Sequence, residues 1–360
     1  MPAPGTDAAT TPLDLAAVRA QVDACLDEFL TAKIRGASHR ELSSELPEAV
    51  HHFVQAGGKR LRPLLCVIGW QAAGGRGTPP PVIRVAAALE MFHAFALIHD
   101  DIMDRSATRR GHPTAHRALA ARHPDVRDPA WFGASAAILA GDLALAWSDE
   151  LLNTSGALAE PLAEVRRVVD TMREDVIHGQ YLDLLTQLRP AADLDAPLKV
   201  ILYKTAKYTV ECPLHTGMAL AGADRACLQR ATRFALPLGE AFQLRDDLLG
   251  VFGDPAATGK PVLDDLREGK HTVLLAHAHR KATPHQRAVL DHLVGDPGLT
   301  DAGAATVRDI LHATGAPEET ERLITTRRRE SLDALNRAHF PPAATAALAH
   351  IADLATARTS

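Results

Sequence analysis

Apolar residues recur at three- and four-residue spacing through most of the chain, while runs of β-branched residues stay short. That period belongs to one face of an α-helix, not to the alternation of a strand. Alanine and leucine dominate, and only 4% of residues are aromatic, which suits helices that pack closely through small side chains. The spacing therefore predicts an all-α fold, a helical bundle whose core 360 residues of 46% hydrophobic content can fill. Breakers separate the helical stretches at 74–81 (GGRGTPPP), 122–129, 189–197, 252–261 and 295–303, but none has the character of an inter-domain linker. The expectation is a floppy tail over 1–14 and a single domain over 15–355, with no fixed-period repeat.

Lys and Arg number 39 against 44 Asp and Glu, a net charge of -5, so no global basic field points to nucleic acid or to an anionic membrane. Any anionic ligand must be held locally. Cys25, Cys66, Cys212 and Cys227 lie far apart without CxxC spacing, which argues against a zinc site or a disulfide framework and for a reducing cytoplasm. The N-terminal segment lacks the charged and apolar regions of a signal peptide. No apolar run reaches the roughly 20 residues that span a bilayer. The nearest, 132–147, contains Asp142 and is expected to be a buried helix.

Asp-Asp occurs twice inside apolar helical runs, at Asp100-Asp101 in ALIHDDIMD and at Asp246-Asp247 in AFQLRDDLLGVFGD. Asp100 and Asp104 are four residues apart and stack on one face, with Asp101 beside them. Like charges at that spacing cost a helix roughly 0.2–0.5 kcal/mol per pair, a conflict that a bound cation resolves. A solvated acidic helix end explains one such cluster. A second cluster on another helix, with Gln243 one turn before Asp247, favours two acidic patches facing each other across a cavity. Carboxylates without a His or Cys ligand set favour Mg²⁺ over zinc or copper, and Mg²⁺ bridges to substrate phosphates, so a diphosphate is the expected third party.

Positive charge is placed to match. GGKRLRP brings in Lys59, Arg60 and Arg62 after a glycine pair that permits close backbone approach. Arg109-Arg110-Gly111 follows the first acidic cluster by five residues; Lys204-Thr205, Lys260 and Lys270 add further charge, the last two flanking the loop after the second cluster. Each alone reads as an ordinary surface charge or turn. Together, in an acidic chain, they outline a phosphate pocket. The GxxxxGK[ST] signature is absent, so an ATP-binding P-loop is not supported.

In this order the motifs resemble those of the polyprenyl synthetase family, the trans isoprenyl diphosphate synthases, and of bacterial geranylgeranyl diphosphate synthases among them. The match runs from about residue 50 to 275 through GGKRLRP, HAFALIHDDIMD, RRGHPTAH, GDLAL, HGQYLD, KT, and FQLRDDLLGVFGD with GKPVLDDLREGKHT. The resemblance implies an all-α fold of the isoprenoid synthase type around a central cavity, a homodimer, and two aspartate motifs opposed across three Mg²⁺. By motif match Asp100, Asp101 and Asp104 form the first metal set, and Asp246 and Asp247 belong to the second. Arg109, Lys204 and Lys260 would meet the allylic diphosphate, and Lys59, Arg62, His93 and Arg110 that of isopentenyl diphosphate. Thr205 and Gln243 match polar residues beside the reacting carbons, and Lys270 a lysine of the closing loop. The implied reaction condenses the two substrates by ionising the allylic C–O bond, with Lys204, Thr205, Gln243 and Arg109 as its catalytic set. One departure stands out: the fifth position of the second motif is Gly250, so either Asp254, Asp264 or Asp265 compensates or the third carboxylate is dispensable.

Successive turns of the helix that ends in the first motif reach about 5.4 Å deeper. Phe95 and Phe92, five and eight residues before Asp100, are therefore expected near the pocket floor, with ordinary core packing as the alternative. In the family, bulk at the fifth upstream position limits chain growth; the fourth, Ala96, is small. This implies a C20 product, geranylgeranyl diphosphate, with C15 farnesyl diphosphate as the alternative. A class I terpene cyclase would not need the second diphosphate pocket of Lys59, Arg62 and Arg110. A non-catalytic subunit of a heteromeric prenyltransferase would be expected to lose acidic ligands, whereas DDIMD is intact. Beyond about residue 275 the chain reads as helical without an interpretable motif, and Arg327-Arg328-Arg329 as a solvated basic face rather than a cap on the cavity mouth.

Overall fold

Residues 13–186, 191–253 and 263–356 are described by the computed structural model of the chain. Helix α1 (Leu15–His39) starts where the Asp14 carboxylate accepts a hydrogen bond from the Ala17 amide at 2.9 Å. The last residue of the expected tail is thus a helix cap, and positions 1–12 lie outside the described residues. Helices α2 (Glu45–Gln55) and α3 (Leu61–Ala72) lead to α4 (Pro80–Met103), whose start has proline in the first turn, where no amide is needed. Val85, Ala86, Ala87, Met91 and Phe92 bury α4 almost all round, which makes it the central helix.

A small antiparallel hairpin follows, Thr108–Arg109 against His112–Pro113, and is the only paired strand segment among the described residues. Arg110 and Gly111 at its tip both have positive φ, 54° and 77°, as a two-residue hairpin turn demands. Helices α5 (Ala115–Arg122), α6 (Pro129–Asn153) and α7 (Ala159–Thr186) come next. Helix α8 (Asp195–Val200), a π-helical segment (Ile201–Glu211) and α9 (Cys212–Leu220) then continue one another. The long α10 (Arg225–Phe252) closes the other side of the cavity, and α11 (Asp264–Glu268), α12 (Val273–Lys281), α13 (Pro284–Leu293), α14 (Asp301–Ala313), α15 (Ala316–Asn336) and α16 (Pro342–Thr356) complete the chain. The all-α expectation holds.

Two local expectations need correction. The 132–147 run lies in α6, which is not buried: it packs one face on α4 and α5 and leaves Trp131 69%, Leu139 55% and Ile138 41% exposed on the other. Small residues Gly133, Ala137, Ala140, Gly141 and Ala144 form the packed face, so the apolar pattern hid a second face that is apolar too. By length and composition α4 and α6 could each cross a bilayer, but α4 is a core helix with 72% of its most apolar window buried. The arginine triplet is not simply solvated either. Arg327 bridges α15 to α10 through Glu240 at 2.6 Å, and Arg328 reaches Asp353 of α16 at 2.5 Å.

Candidate active site

A concavity of about 980 Å³ lies between α3, α4, α7, the π-helical segment and α10. Its walls bring together Lys59, Arg62, His93, Phe95, Ala96, Asp100, Arg109, Arg110, Lys204, Thr205, Gln243, Asp246 and Lys270. Residues spread over more than 200 positions thus converge on one space. Lys260 and Asp254 lie outside the described residues.

The π-helical segment explains how four residues of one stretch all face the cavity. Its wider turn carries Lys204, Thr205, Tyr208 and Thr209 on the lining side. Two glycines pin it there. A Cβ at Gly179 of α7 would lie 2.5 Å from the Lys204 nitrogen, and one at Gly239 of α10 would lie 2.3 Å from the Ala206 Cα.

At the acidic rim the helix geometry splits each Asp-Asp pair. Consecutive helical side chains point about 100° apart, so one member faces the cavity and the next does not. Asp100 lines the cavity and accepts from Lys204 Nζ at 3.2 Å. Asp101 is fully buried and accepts from Arg109 Nε at 2.7 Å, with Arg109 Nη2 also within 2.7 Å. Asp246 lines the cavity, whereas Asp247 accepts from Gln243 Nε2 at 2.8 Å, and Gln243 Oε1 accepts from Thr205 Oγ1 at 2.7 Å. Of the five expected cation ligands, Asp100 and Asp246 line the cavity; Asp101, Asp104 and Asp247 stand behind them, where Asp101 holds Arg109 and Asp247 holds Gln243.

Two lysines bind this rim together. Lys204 also donates to Asp183 at 2.7 Å, and Lys270 lies 2.9 Å from Glu268, 3.5 Å from Asp265 and 3.6 Å from Asp104. Burial opposes the Lys270 charge, but these carboxylates outweigh it and raise its pKa well above the usual lysine value. Burial and the Asp100 charge push Asp104 up to about 6, and burial, with Asp265 and Asp246 nearby, pushes Asp247 up to about 7 against the Gln243 hydrogen bond. Asp100 stays below the usual range, because Lys204, Lys270 and Arg109 outweigh its burial.

No described group of three or more Asp, Glu, His or Cys side chains is gathered tightly enough to chelate a metal alone. The rim instead offers oxygen donors in excess of its ammonium groups, and Asp104 Oδ2 is buried without a hydrogen-bond donor. Such a donor set fits Mg²⁺, which keeps several waters and completes its shell with diphosphate oxygens.

The basic side is built differently. Arg110 donates to the Gly57 carbonyl, and a Cβ at Gly58, φ 141°, would meet Arg110 Nη2 at 2.8 Å, so only glycine lets the guanidinium through. Arg62 donates to Thr209 Oγ1 at 2.6 Å and lies 4.1 Å over the Tyr208 ring. His93 Nδ1 is 3.0 Å from the Tyr208 hydroxyl. Burial, reinforced by Arg62, Arg110 and Arg109, lowers its pKa well below the usual imidazole value, so His93 serves as a neutral hydrogen-bonding group. Arg60, counted with the basic set from sequence, is a strut: 5% exposed, it pairs with Asp23 at 2.6 Å and Glu90 at 2.8 Å.

The model of the polyprenyl synthetase family matches residues 43–311. The chain belongs to the polyprenyl synthetase family. It is accordingly a prenyl diphosphate synthase, a transferase. The geranylfarnesyl diphosphate synthase of Aeropyrum pernix is 35% identical over 75% of this chain and 80% of its own length. The geranylgeranyl diphosphate synthase of Saccharolobus solfataricus is 34% identical over 70% and 71%. Among solved structures, a geranylgeranyl pyrophosphate synthase from Corynebacterium glutamicum, complexed with isoprenyl diphosphate and magnesium, superposes with a TM-score of 0.92 at 40% identity, covering 96% of this chain and 99% of that one.

Within this polyprenyl synthetase Phe95 belongs to a run of ring contacts along α4. Phe95 lies 5.2 Å from Phe92 and 4.8 Å from the His99 ring. Phe95 and Ala96 line the cavity; Phe92, 1% exposed, sits behind Phe95 and does not. Sequence reasoning missed Tyr208, Thr209 and Glu268. Tyr208 had a signal, since it stands one turn after Lys204, and Glu268 had one too, two residues before Lys270 in the same motif.

Proposed function

We propose that this polyprenyl synthetase condenses isopentenyl diphosphate with an allylic diphosphate in a Mg²⁺-dependent, trans-selective prenyl transfer, with geranylgeranyl diphosphate (C20) as product. The observation that carries this reading is one cavity lined by carboxylates, by two basic sets and by apolar side chains. A terpene cyclase needs only the first and last.

Asp100, Asp104 and Asp246 would hold Mg²⁺, three ions by family resemblance, which neutralises charge on the departing diphosphate. Arg109, fixed by Asp101, and Lys204 bind the allylic diphosphate and stabilise the charge that grows on it as the C–O bond breaks. Lys59, Arg62, Arg110 and neutral His93 hold isopentenyl diphosphate so that its double bond meets the allylic carbon. Thr205 and Gln243, linked to each other, present oxygen dipoles to the carbocation. The released diphosphate then takes the proton whose loss restores the double bond. Phe95 sets the length of the apolar end, which supports C20 over longer products.

Residues 15–355 act as one synthase domain. The exposed Trp131, Ile138 and Leu139 face of α6 supports a homodimer, because an apolar stripe of this kind is what a second copy would cover. Four free thiols support a cytoplasmic setting.

The test is incubation of purified protein with isopentenyl diphosphate, Mg²⁺ and dimethylallyl, geranyl or farnesyl diphosphate, with chromatography of the dephosphorylated products. A C20 alcohol is expected; no elongated product with any primer would reject the reading.

A further inference from the structure

We propose that Asp265 is the third carboxylate of the second metal-binding cluster, entering from α11 instead of α10, and that Gly250 leaves the room it occupies. This rests on the synthase reading of the site. Position 250 stands four residues after Asp246, on the same face of α10, so a side chain there would point where Asp246 points. A Cβ at Gly250 would lie 1.8 Å from Asp265 Oδ2 and 2.9 Å from its Cγ. The Asp265 carboxylate therefore fills the volume that a carboxylate-bearing residue at 250 would need.

Backbone geometry does not ask for glycine here. Gly250 lies inside a helix and is absent from the positive-φ residues, while glycine costs a helix interior about 1 kcal/mol relative to alanine. Space is the remaining reason. Asp265 also belongs to the same charge set as the first cluster. Lys270 Nζ lies 3.5 Å from Asp265 Oδ1 and 3.6 Å from Asp104 Oδ2, so one ammonium spans both acidic groups, and the Asp265 side chain is only 24% exposed.

The test uses Mn²⁺ as the probe, titrated into the full-length protein with inorganic diphosphate and followed by electron paramagnetic resonance. Asp265→Asn, which keeps the side-chain shape, is expected to weaken Mn²⁺ uptake by about tenfold or more. Gly250→Asp alone should also weaken it, because two carboxylates then compete for one volume. The double variant Gly250→Asp/Asp265→Gly, which moves the carboxylate back onto α10, should recover most of the loss. Circular dichroism melts confirm that the proteins compared are folded. Mn²⁺ uptake by Asp265→Asn equal to wild type, or a double variant no better than either single one, would overturn the proposal alone. A wild-type chain that takes up no Mn²⁺ with diphosphate would overturn the synthase reading of the site and the proposal with it.

Discussion

The two Asp-Asp pairs share a geometry and differ in what it holds. On α4, Asp100 faces the cavity and Asp101 grips the guanidinium of Arg109; on α10, Asp246 faces the cavity and Asp247 grips the neutral amide of Gln243. The first pair spends its second carboxylate on a buried ion pair, the second on a hydrogen bond to a dipole. The same dipeptide thus fixes a charge at one rim and a dipole at the other, which the proposed reaction would use for its leaving anion and its passing cation respectively.

The largest expected effect separates the two inner carboxylates. Asp101→Asn leaves the buried Arg109 charge with Asp100, at 3.5 Å, as its remaining carboxylate partner and should cost about 1–3 kcal/mol in urea unfolding. Asp247→Asn keeps an oxygen to accept from Gln243 and should cost less than about 1 kcal/mol. Equal losses would erase the distinction. Next come the outer carboxylates. Asp100→Asn should lower kcat by about 10²–10³, because it disturbs the cation set and the Lys204 contact together. Asp246→Asn should cost less, since Asp265 stays nearby, and steady-state kinetics at saturating Mg²⁺ would rank them.

Phe95→Ala tests the floor rather than the rim and should shift the product distribution toward chains longer than C20. An unchanged product chromatogram would remove Phe95 as the limit. The smallest effect lies on the basic side. His93 is kept neutral when folded, so as pH falls through about 6.5 the unfolded chain gains a proton that the folded chain refuses, and stability is lost. Wild-type stability relative to His93→Gln should therefore decline below pH 6.5, by up to about 1.4 kcal/mol per pH unit. Parallel pH curves for the two proteins would contradict this.

The helical fold was legible because apolar spacing reports directly on the face a helix buries, and motif order revealed which residues meet. What spacing does not report is what lies opposite a given face. Asp101 and Asp247 were named as ligands by motif match, and the motif does not report that Asp101 also holds Arg109 and Asp247 also holds Gln243. Helix α6 looked buried because both of its faces are apolar, and only packing shows that the small residues go inside and Trp131, Ile138 and Leu139 outside. Lys270 was placed in the closing loop by motif, and the structure adds its contacts with Asp104 of α4 and Glu268 of α11. The role of Gly250 needed the coordinates of Asp265.

The division of labour within each pair is tested most directly by the Mg²⁺ dependence of the initial rate in Asp100→Asn and Asp101→Asn. Asp100→Asn should raise the half-saturating Mg²⁺ concentration by about tenfold or more. Asp101→Asn should leave it near wild type and instead raise KM for the allylic diphosphate, through a displaced Arg109. An equal shift in Mg²⁺ requirement for both variants, or a shift confined to Asp101→Asn, would contradict the account.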